Sequence, residues 1–178
     1  MPAEAKRQPK GRRPSRRRVV AQRSSLMNVG RRVDYALRAL CYLASQPSDR
    51  VVTRHEIQVR QAVPPHFLSK ILRTLVAAGH LESVAGARGG FRLGRKPHDI
   101  TVREVYECIE GHLCLIDCVE HQEGFCCFAP VCTQIAVWRG AQQVLMDYLG
   151  RISIEQIADH QGLVARLELM GRDSVSRL

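Results

Sequence analysis

The sequence predicts a mainly α-helical chain with a small β-hairpin wing, a winged helix-turn-helix followed by one long helix. Three observations carry that expectation. Three amphipathic segments follow one another between residues 29 and 79, the third opened by a proline pair. Two short extended runs then flank the glycine-rich stretch Gly86-Ala-Arg-Gly-Gly90. After Cys132 a helical period returns over residues 133–149.

Val33, Ala36, Leu37, Leu40, Leu43 and Ala44 recur at helical spacing and predict a first helix over roughly residues 29–45, ended by Pro47 and Ser48. Thr53-x-x-Glu56 reads as a capping box opening a second helix, with Val52 and Ile57 as its hydrophobic staple. Pro64 and Pro65 stop that helix and suit the first turn of the next, where a missing N–H costs nothing. At about 100° per residue, His66, Ser69, Lys70 and Arg73 fall within about 60° of one line. Phe67, Leu68, Ile71, Leu72 and Leu75 fall on the other side. Gly79 ends this third helix, and residues 81–85 and 91–93 read as hairpin strands.

Thr101-x-x-Glu104 is a further capping box, opening a fourth helix that ends near Gly111. Residues 112–132 have mixed polarity and no period, and are expected to form a loop. The long helix carries Ile135, Trp138, Leu145 and Tyr148 on one flank, and Gly140 interrupts it at a cost of about 1 kcal/mol against Ala. Ser153-x-x-Gln156 caps a last short helix, and the chain from Gly162 is weakly specified.

A helix that enters the major groove needs a buried back face and short or forked donors in front. His66, Ser69, Lys70 and Arg73 meet that need as contacts to base edges or phosphates; the same face would also serve as plain solvated helix surface. Arg88 lies between Gly86 and Gly89-Gly90, in a turn slim enough for a minor groove, where negative potential favours arginine. Taken in order, the capped second helix, proline-started third helix and Arg-Gly-Gly wing predict double-stranded DNA as the partner.

The net charge of +10 is unevenly spread. Residues 1–26 hold nine basic residues against one acid, a balance of +8, which leaves +2 for residues 27–178. This leader is expected to be disordered: a solvated tail, a segment upstream of a start at Met27, or a non-specific phosphate-binding arm. With 45% apolar residues the chain can bury a core, yet no apolar run reaches the length of a membrane span. No secretory signal is evident, so a cytoplasmic protein is expected, and in a reducing compartment its seven cysteines are not expected to be a disulfide framework.

Six of those cysteines fall between Cys108 and Cys132, three of them as Cys118-x7-Cys126-x5-Cys132. Thiolates suit iron–sulfur clusters, and the loose spacing lets a loop wrap a large object. Zinc competes, because Cys114-x3-Cys118 and Cys127-x4-Cys132 fit knuckle spacing loosely. Cys41 and Cys108 lie along apolar stripes and are expected to be small buried hydrophobes. Cys114 reads as a spare thiol or a neighbour of the ligands, and His112 and His121 as solvated loop residues near enough to ligate.

From Met27 to about His160 the chain resembles the Rrf-two-type iron–sulfur transcription regulators, whose branches are typified by IscR, NsrR and RirA. The resemblance lies in Val33-Asp-Tyr-Ala-Leu-Arg-Ala-Leu40, Pro65-His-Phe-Leu-Ser-Lys-Ile-Leu72, Gly86-Ala-Arg-Gly-Gly-Phe-Arg-Leu93 and the spaced cysteines. It implies a homodimer joined through the helix at 133–149, with one cluster per subunit, [4Fe–4S] favoured over [2Fe–2S]. By position the ligands are Cys118, Cys126 and Cys132, with Cys127 replacing Cys126 under a one-residue slip. The IscR branch has a histidine where this chain has Ile135; the NsrR branch has an acid in the first helix, supplied by the partner subunit, and here that position is Asp34. Asp34 also precedes Arg38 by four residues, the spacing of an ordinary helix-surface ion pair.

The resemblance therefore implies a dimeric repressor on a palindromic operator, controlled by a cluster and sensing nitric oxide. Iron-status or cluster-assembly sensing is the alternative, and a thiol-redox or zinc-stabilised regulator without a cluster is a second. No thioredoxin-like Cys-x2-Cys and no Gly-rich nucleotide loop after a strand are present, so neither an enzyme nor a small-molecule substrate is expected. The expected organisation is a basic leader (1–26), a DNA-binding domain (27–111), a cluster-binding loop (112–132), a dimerisation helix with a C-terminal helix (133–162) and a flexible tail (163–178).

Overall fold

The structure, a computed structural model, describes residues 29–115 and 131–159. The expected leader and tail lie outside the described residues, as do Cys118, His121, Cys126 and Cys127. The described chain is mainly helical, with one antiparallel hairpin.

Helix α1 (Arg31–Ala44) buries Val33, Ala36, Ala39, Leu40 and Leu43 along one stripe, as its apolar spacing dictates. It packs against α2 (Arg54–Gln61), α3 (Pro65–Ala77), α4 (Val102–Glu110) and the last helix, α6 (Ile154–Ala158). Leu68, Ile71, Leu72 and Leu75 of α3 close on the same core, together with Val52, Ile57, Leu81, Ile100, Val105 and Ile154. Each such side chain withdrawn from water contributes about 1.5–3 kcal/mol, so this cluster fixes how α3 is held.

Helix α2 starts where the sequence indicates, but with half of the expected capping box. The Thr53 hydroxyl accepts from the Glu56 N–H at 3.2 Å. The Glu56 carboxylate does not return to Thr53: it accepts from the Tyr42 hydroxyl at 2.7 Å and from Arg50 at 2.7 Å. The Tyr42 hydrogen bond above all holds the Glu56 carboxyl below its ordinary range, with Arg50 adding to it. Charge-assisted bonds to two partners on α1 and the α1–α2 loop outcompete one backbone amide. Ala62, in the left-handed region at φ 50°, ends the helix before the prolines are reached. Pro65 then opens α3 at its first turn.

Strands β1 (Leu81–Val84) and β2 (Gly90–Leu93) pair antiparallel, Leu81 opposite Leu93 and Val84 opposite Gly90. The Phe91 N–H and carbonyl also exchange hydrogen bonds with Val52 at 2.8 and 2.9 Å, so the wing is stitched to the residue before α2's cap. That approach explains Gly90, where a Cβ would lie 2.3 Å from the Val52 carbonyl oxygen.

After a short 3-10 turn at Pro97–Asp99, a complete capping box at Thr101 and Glu104 opens α4. The long helix, α5, spans Ile135–Arg151, two residues later than its apolar pattern suggests. Its C-terminal limit comes from a distant partner: Val102 donates to the Ile152 carbonyl at 2.9 Å, and Ile154 to the Ile100 carbonyl at 2.8 Å. A complete box at Ser153 and Gln156 then starts α6. The flank of Trp138, Leu145 and Tyr148 does not enter the core. Helix α5 lies against α4 and buries Gln142 and Met146 instead, leaving Val137, Trp138 and Val144 exposed.

Candidate nucleic-acid interface and thiol segment

The division of α3 into two faces is as expected. Its apolar side is sealed in the core, and His66, Lys70 and Arg73 are exposed. The His66 ring lies 4.3 Å from the half-buried Phe67 ring, and Phe67 in turn lies 5.8 Å from Tyr35 of α1. Ser69 is half-buried: its hydroxyl donates to the Pro65 carbonyl at 3.1 Å and accepts from the Arg54 guanidinium at 3.1 Å. In the wing, Gly89 donates to the Gly86 carbonyl at 2.9 Å, closing a turn that carries Arg88 exposed at its tip.

Charge separates this face from the rest. Arg32, Arg38, Arg50, Arg92, Arg95 and Arg103 each pair with a carboxylate, at 2.7–3.7 Å. Arg54 and Arg60 of α2, Lys70 and Arg73 of α3, and Arg88 of the wing have no such partner among the described residues. Arg31, Lys96, Arg139 and Arg151 also lack one, but they are spread over α1, a loop and α5. Arg54, Lys70, Arg73 and Arg88, on three neighbouring elements, attract a polyanion, whereas Arg60 also acts on the Glu56 carboxylate.

Between α3 and the wing runs a cleft of about 310 Å³. Leu72, Val76 and Phe91 supply its apolar lining; Arg54, Ser69, Arg73 and Ser83 supply the polar one. Ser69 and Arg73 are among the residues the sequence singles out; Arg54, which lines the same cleft, is not. A signal was available: a helix's first turn disfavours a cation, so an arginine directly after the Thr53 cap is unusual.

Of the three spaced cysteines only Cys132 lies among the described residues, half-buried and three positions before α5. Leu113 is buried, and the Leu115 N–H donates to the buried Gln142 side chain of α5 at 3.1 Å. The near end of the thiol segment is thus fixed to the helix that follows its far end. Gln142 was also missed, since a glutamine within a helix looks like solvated surface.

Asp34 forms a two-bond ion pair with Arg38, at 3.0 and 2.9 Å. The ordinary helix-surface reading of that residue is the arrangement the structure holds. Cys41 and Cys108 pack against the core, and burial pushes Cys41 up to about 11 and raises Cys108 as well. Neither is a ready thiolate. Burial, then Glu110 and Cys114, raises Tyr106, which places Cys114 close to α4. Among the described residues no three Cys, His, Asp or Glu side chains meet as a metal site. The donor set of the segment suits a cluster by its chemistry, since its sequence offers several thiols beyond Cys41 and Cys108, and its described start is anchored to α5.

Known proteins agree with this architecture. A family model described as Rrf2, iron-dependent transcriptional regulator, matches residues 29–160. The transcriptional regulator NsrR of Bacillus licheniformis is 28% identical over 134 residues, 75% of this chain and 94% of its own. Protein rrf2 of Nitratidesulfovibrio vulgaris is 30% identical over 132 residues, 74% of this chain and 87% of its own. Among solved structures, CymR, the global cysteine regulator of B. subtilis, superposes with a TM-score of 0.63 at 21% identity, over 76% of this chain and 98% of its own. IscR of T. potens gives 0.60 at 25% identity, over 75% and 88%. No described helix is long and apolar enough to cross a membrane. With a family model spanning most of its length and regulators as its relatives, the chain belongs to the Rrf2 family of transcriptional regulators.

Proposed function

We propose that this chain is a homodimeric repressor of a palindromic operator, with its grip on DNA set by an iron–sulfur cluster that responds to nitric oxide. The observation that carries the DNA part is the run of unpaired cations on α2, α3 and the wing tip. Each subunit would lay α3 in the major groove, with His66, Lys70 and Arg73 outward and Arg88 beside it in the minor groove. The dimer is supported by α5, where Val137, Ala141, Val144 and Tyr148 follow one another at four-, three- and four-residue steps, with Val137 67% and Val144 70% exposed.

Cys118, Cys126 and Cys132 would hold the cluster, [4Fe–4S] favoured over [2Fe–2S], with Asp34 reaching across from the other subunit as the fourth ligand. Bound there, the cluster supplies an iron open to nitric oxide, since a carboxylate is a poorer match to iron than a thiolate. As a ligand, Asp34 would share or give up its two-bond pair with Arg38, so the side chain has two competing partners. The Arg38 guanidinium stands 5.9 Å over the Tyr35 ring, which lies against Phe67, which lies against His66. Asp34's choice of partner is therefore connected through packed rings to the outward face of α3. The coupling need only reach a few kcal/mol, because each ~1.4 kcal/mol changes occupancy tenfold.

NsrR relatives support the nitric oxide reading. Iron-status sensing is the second reading, favoured by the family model's description as iron-dependent. Anaerobic protein bound to a duplex selected from a randomised pool separates them. Release on adding a nitric oxide donor, with Mössbauer spectra that change on Asp34→Ala, supports the first; release only on iron chelation supports the second. Colourless anaerobic protein containing zinc in place of iron and acid-labile sulfide would refute both.

A further inference from the structure

We infer that Arg54 and Arg73 form a seat for one DNA phosphodiester in the cleft between α3 and the wing, and that Ser69 is a positioning residue for Arg54 rather than a reader of a base. This inference rests on the DNA-binding reading of that face and specifies how part of it works.

A hydroxyl has one proton and two acceptor lone pairs. The Ser69 proton goes to the Pro65 carbonyl, and one lone pair takes the Arg54 N–H, both at 3.1 Å. Ser69 is left with no proton to offer a base, and being half-buried it lies back from the surface that carries Lys70 and Arg73. Its second lone pair can still accept, but set back from the surface and already bonded to Arg54, the hydroxyl is placed to hold a guanidinium. Arg54 gives one N–H to that bond and keeps the rest of its fork for another acceptor. Among the described residues no carboxylate pairs with Arg54 or Arg73, although both line one cleft.

A second cleft treats its arginines differently. Between the α1–α2 loop and the end of β2, Arg50, Arg92 and Arg95 also line one concavity, and each is matched by Glu56, Glu82 or Glu104. Two unmatched guanidiniums on one cleft repel each other until an anion arrives between them. Leu72, Val76 and Phe91 supply the apolar part of the same lining. The cleft opens between the helix and the hairpin assigned to adjacent grooves, where the backbone dividing those grooves must run. A phosphodiester is thus the anion at hand.

The test uses the full chain, a duplex selected from a randomised pool and a scrambled duplex of equal composition. Arg54→Ala should weaken binding to both by the same factor and lower the log–log salt slope by about one, with an unchanged melting temperature. Arg54→Lys, which keeps the charge, should restore the slope. Ser69→Ala should weaken both duplexes equally, and should cost nothing further in the Arg54→Ala background. An unaltered slope in Arg54→Ala overturns the seat while leaving DNA binding intact; so does a Ser69→Ala protein whose preference changes at one base pair only. Titration with inorganic phosphate at constant ionic strength, followed by NMR, supplies the other arm. Saturable, Arg54-dependent binding of free phosphate without any effect on the DNA salt slope would make the cleft a free-anion site and overturn the proposal. Wild-type protein that binds neither duplex would instead refute the DNA-binding reading itself.

Discussion

Helices α3 and α5 are both amphipathic, and they use their two faces in opposite ways. In α3 the apolar face is closed within the chain, with Leu68, Ile71, Leu72 and Leu75 all at or below 1% exposure, and the polar face is left open. In α5 the chain itself covers a glutamine and a methionine, while Val137, Trp138 and Val144 face outward. The first helix is complete without a partner copy and offers donors to something polar. The second is incomplete and offers area to something apolar. On the proposed reading, a regulator that grips a polyanion and pairs with itself uses one surface of each kind, and the two faces described lie on different elements of the fold.

The difference can be broken from either end. The largest effect is expected in the closed face: Leu75→Ala should cost about 3 kcal/mol of stability through transfer loss and the cavity left behind, read by urea denaturation. Next comes the open face of α5. Val137→Lys with Val144→Lys should turn the dimer into a monomer in sedimentation velocity and weaken duplex binding on the order of 100-fold by removing the second half-site contact. The same pair should leave the melting temperature of the fold nearly unchanged; a large loss of folding stability would mean that those valines are buried within one chain. A smaller effect is expected at the wing, where Arg88→Ala should reduce operator affinity about tenfold at moderate salt without changing folding.

The smallest effect is expected at His80, which lies in the chain between α3 and β1, is buried, and has an Nδ1 with no hydrogen-bond partner among the described residues. Burial pushes its pKa down, with Glu104 opposing and Arg95 assisting. The unfolded chain, whose histidine titrates near ~6.5, therefore binds the proton more readily than the folded one. Stability contributed here is present above that value and is lost as pH falls through it towards the lower folded value. Urea midpoints should drop between pH 7.5 and pH 5, and the drop should shrink in His80→Gln. Equal pH slopes for the two proteins would exclude His80 as its source.

What the sequence made legible follows the range of the forces involved. Helix starts at Thr53, Thr101 and Ser153 are local, set by a side chain and an amide three residues away, and all three stand where their motifs fall. The two faces of α3 follow from periodicity alone. The misjudged features all depend on a distant partner. Glu56 abandons its own cap for Tyr42, fourteen residues away. The end of α5 is set by Ile100 and Val102, and its buried face by α4. Arg54 becomes meaningful only when folding brings Ser69 and Arg73 beside it. In the thiol segment, spacing indicates which atoms are available, whereas the Gln142 anchor on Leu115 is invisible until α5 and α4 are side by side.

Whether the thiol segment governs the α3 surface is read by measuring duplex affinity on one anaerobic preparation before and after the cluster is removed, at a single fixed salt concentration. The expected result is brown protein with iron and acid-labile sulfide, and an affinity that falls at least tenfold on removal while the dimer persists. Equal affinity in the two states would contradict it, and would leave the chain a DNA-binding protein of this family whose cysteines serve some other end.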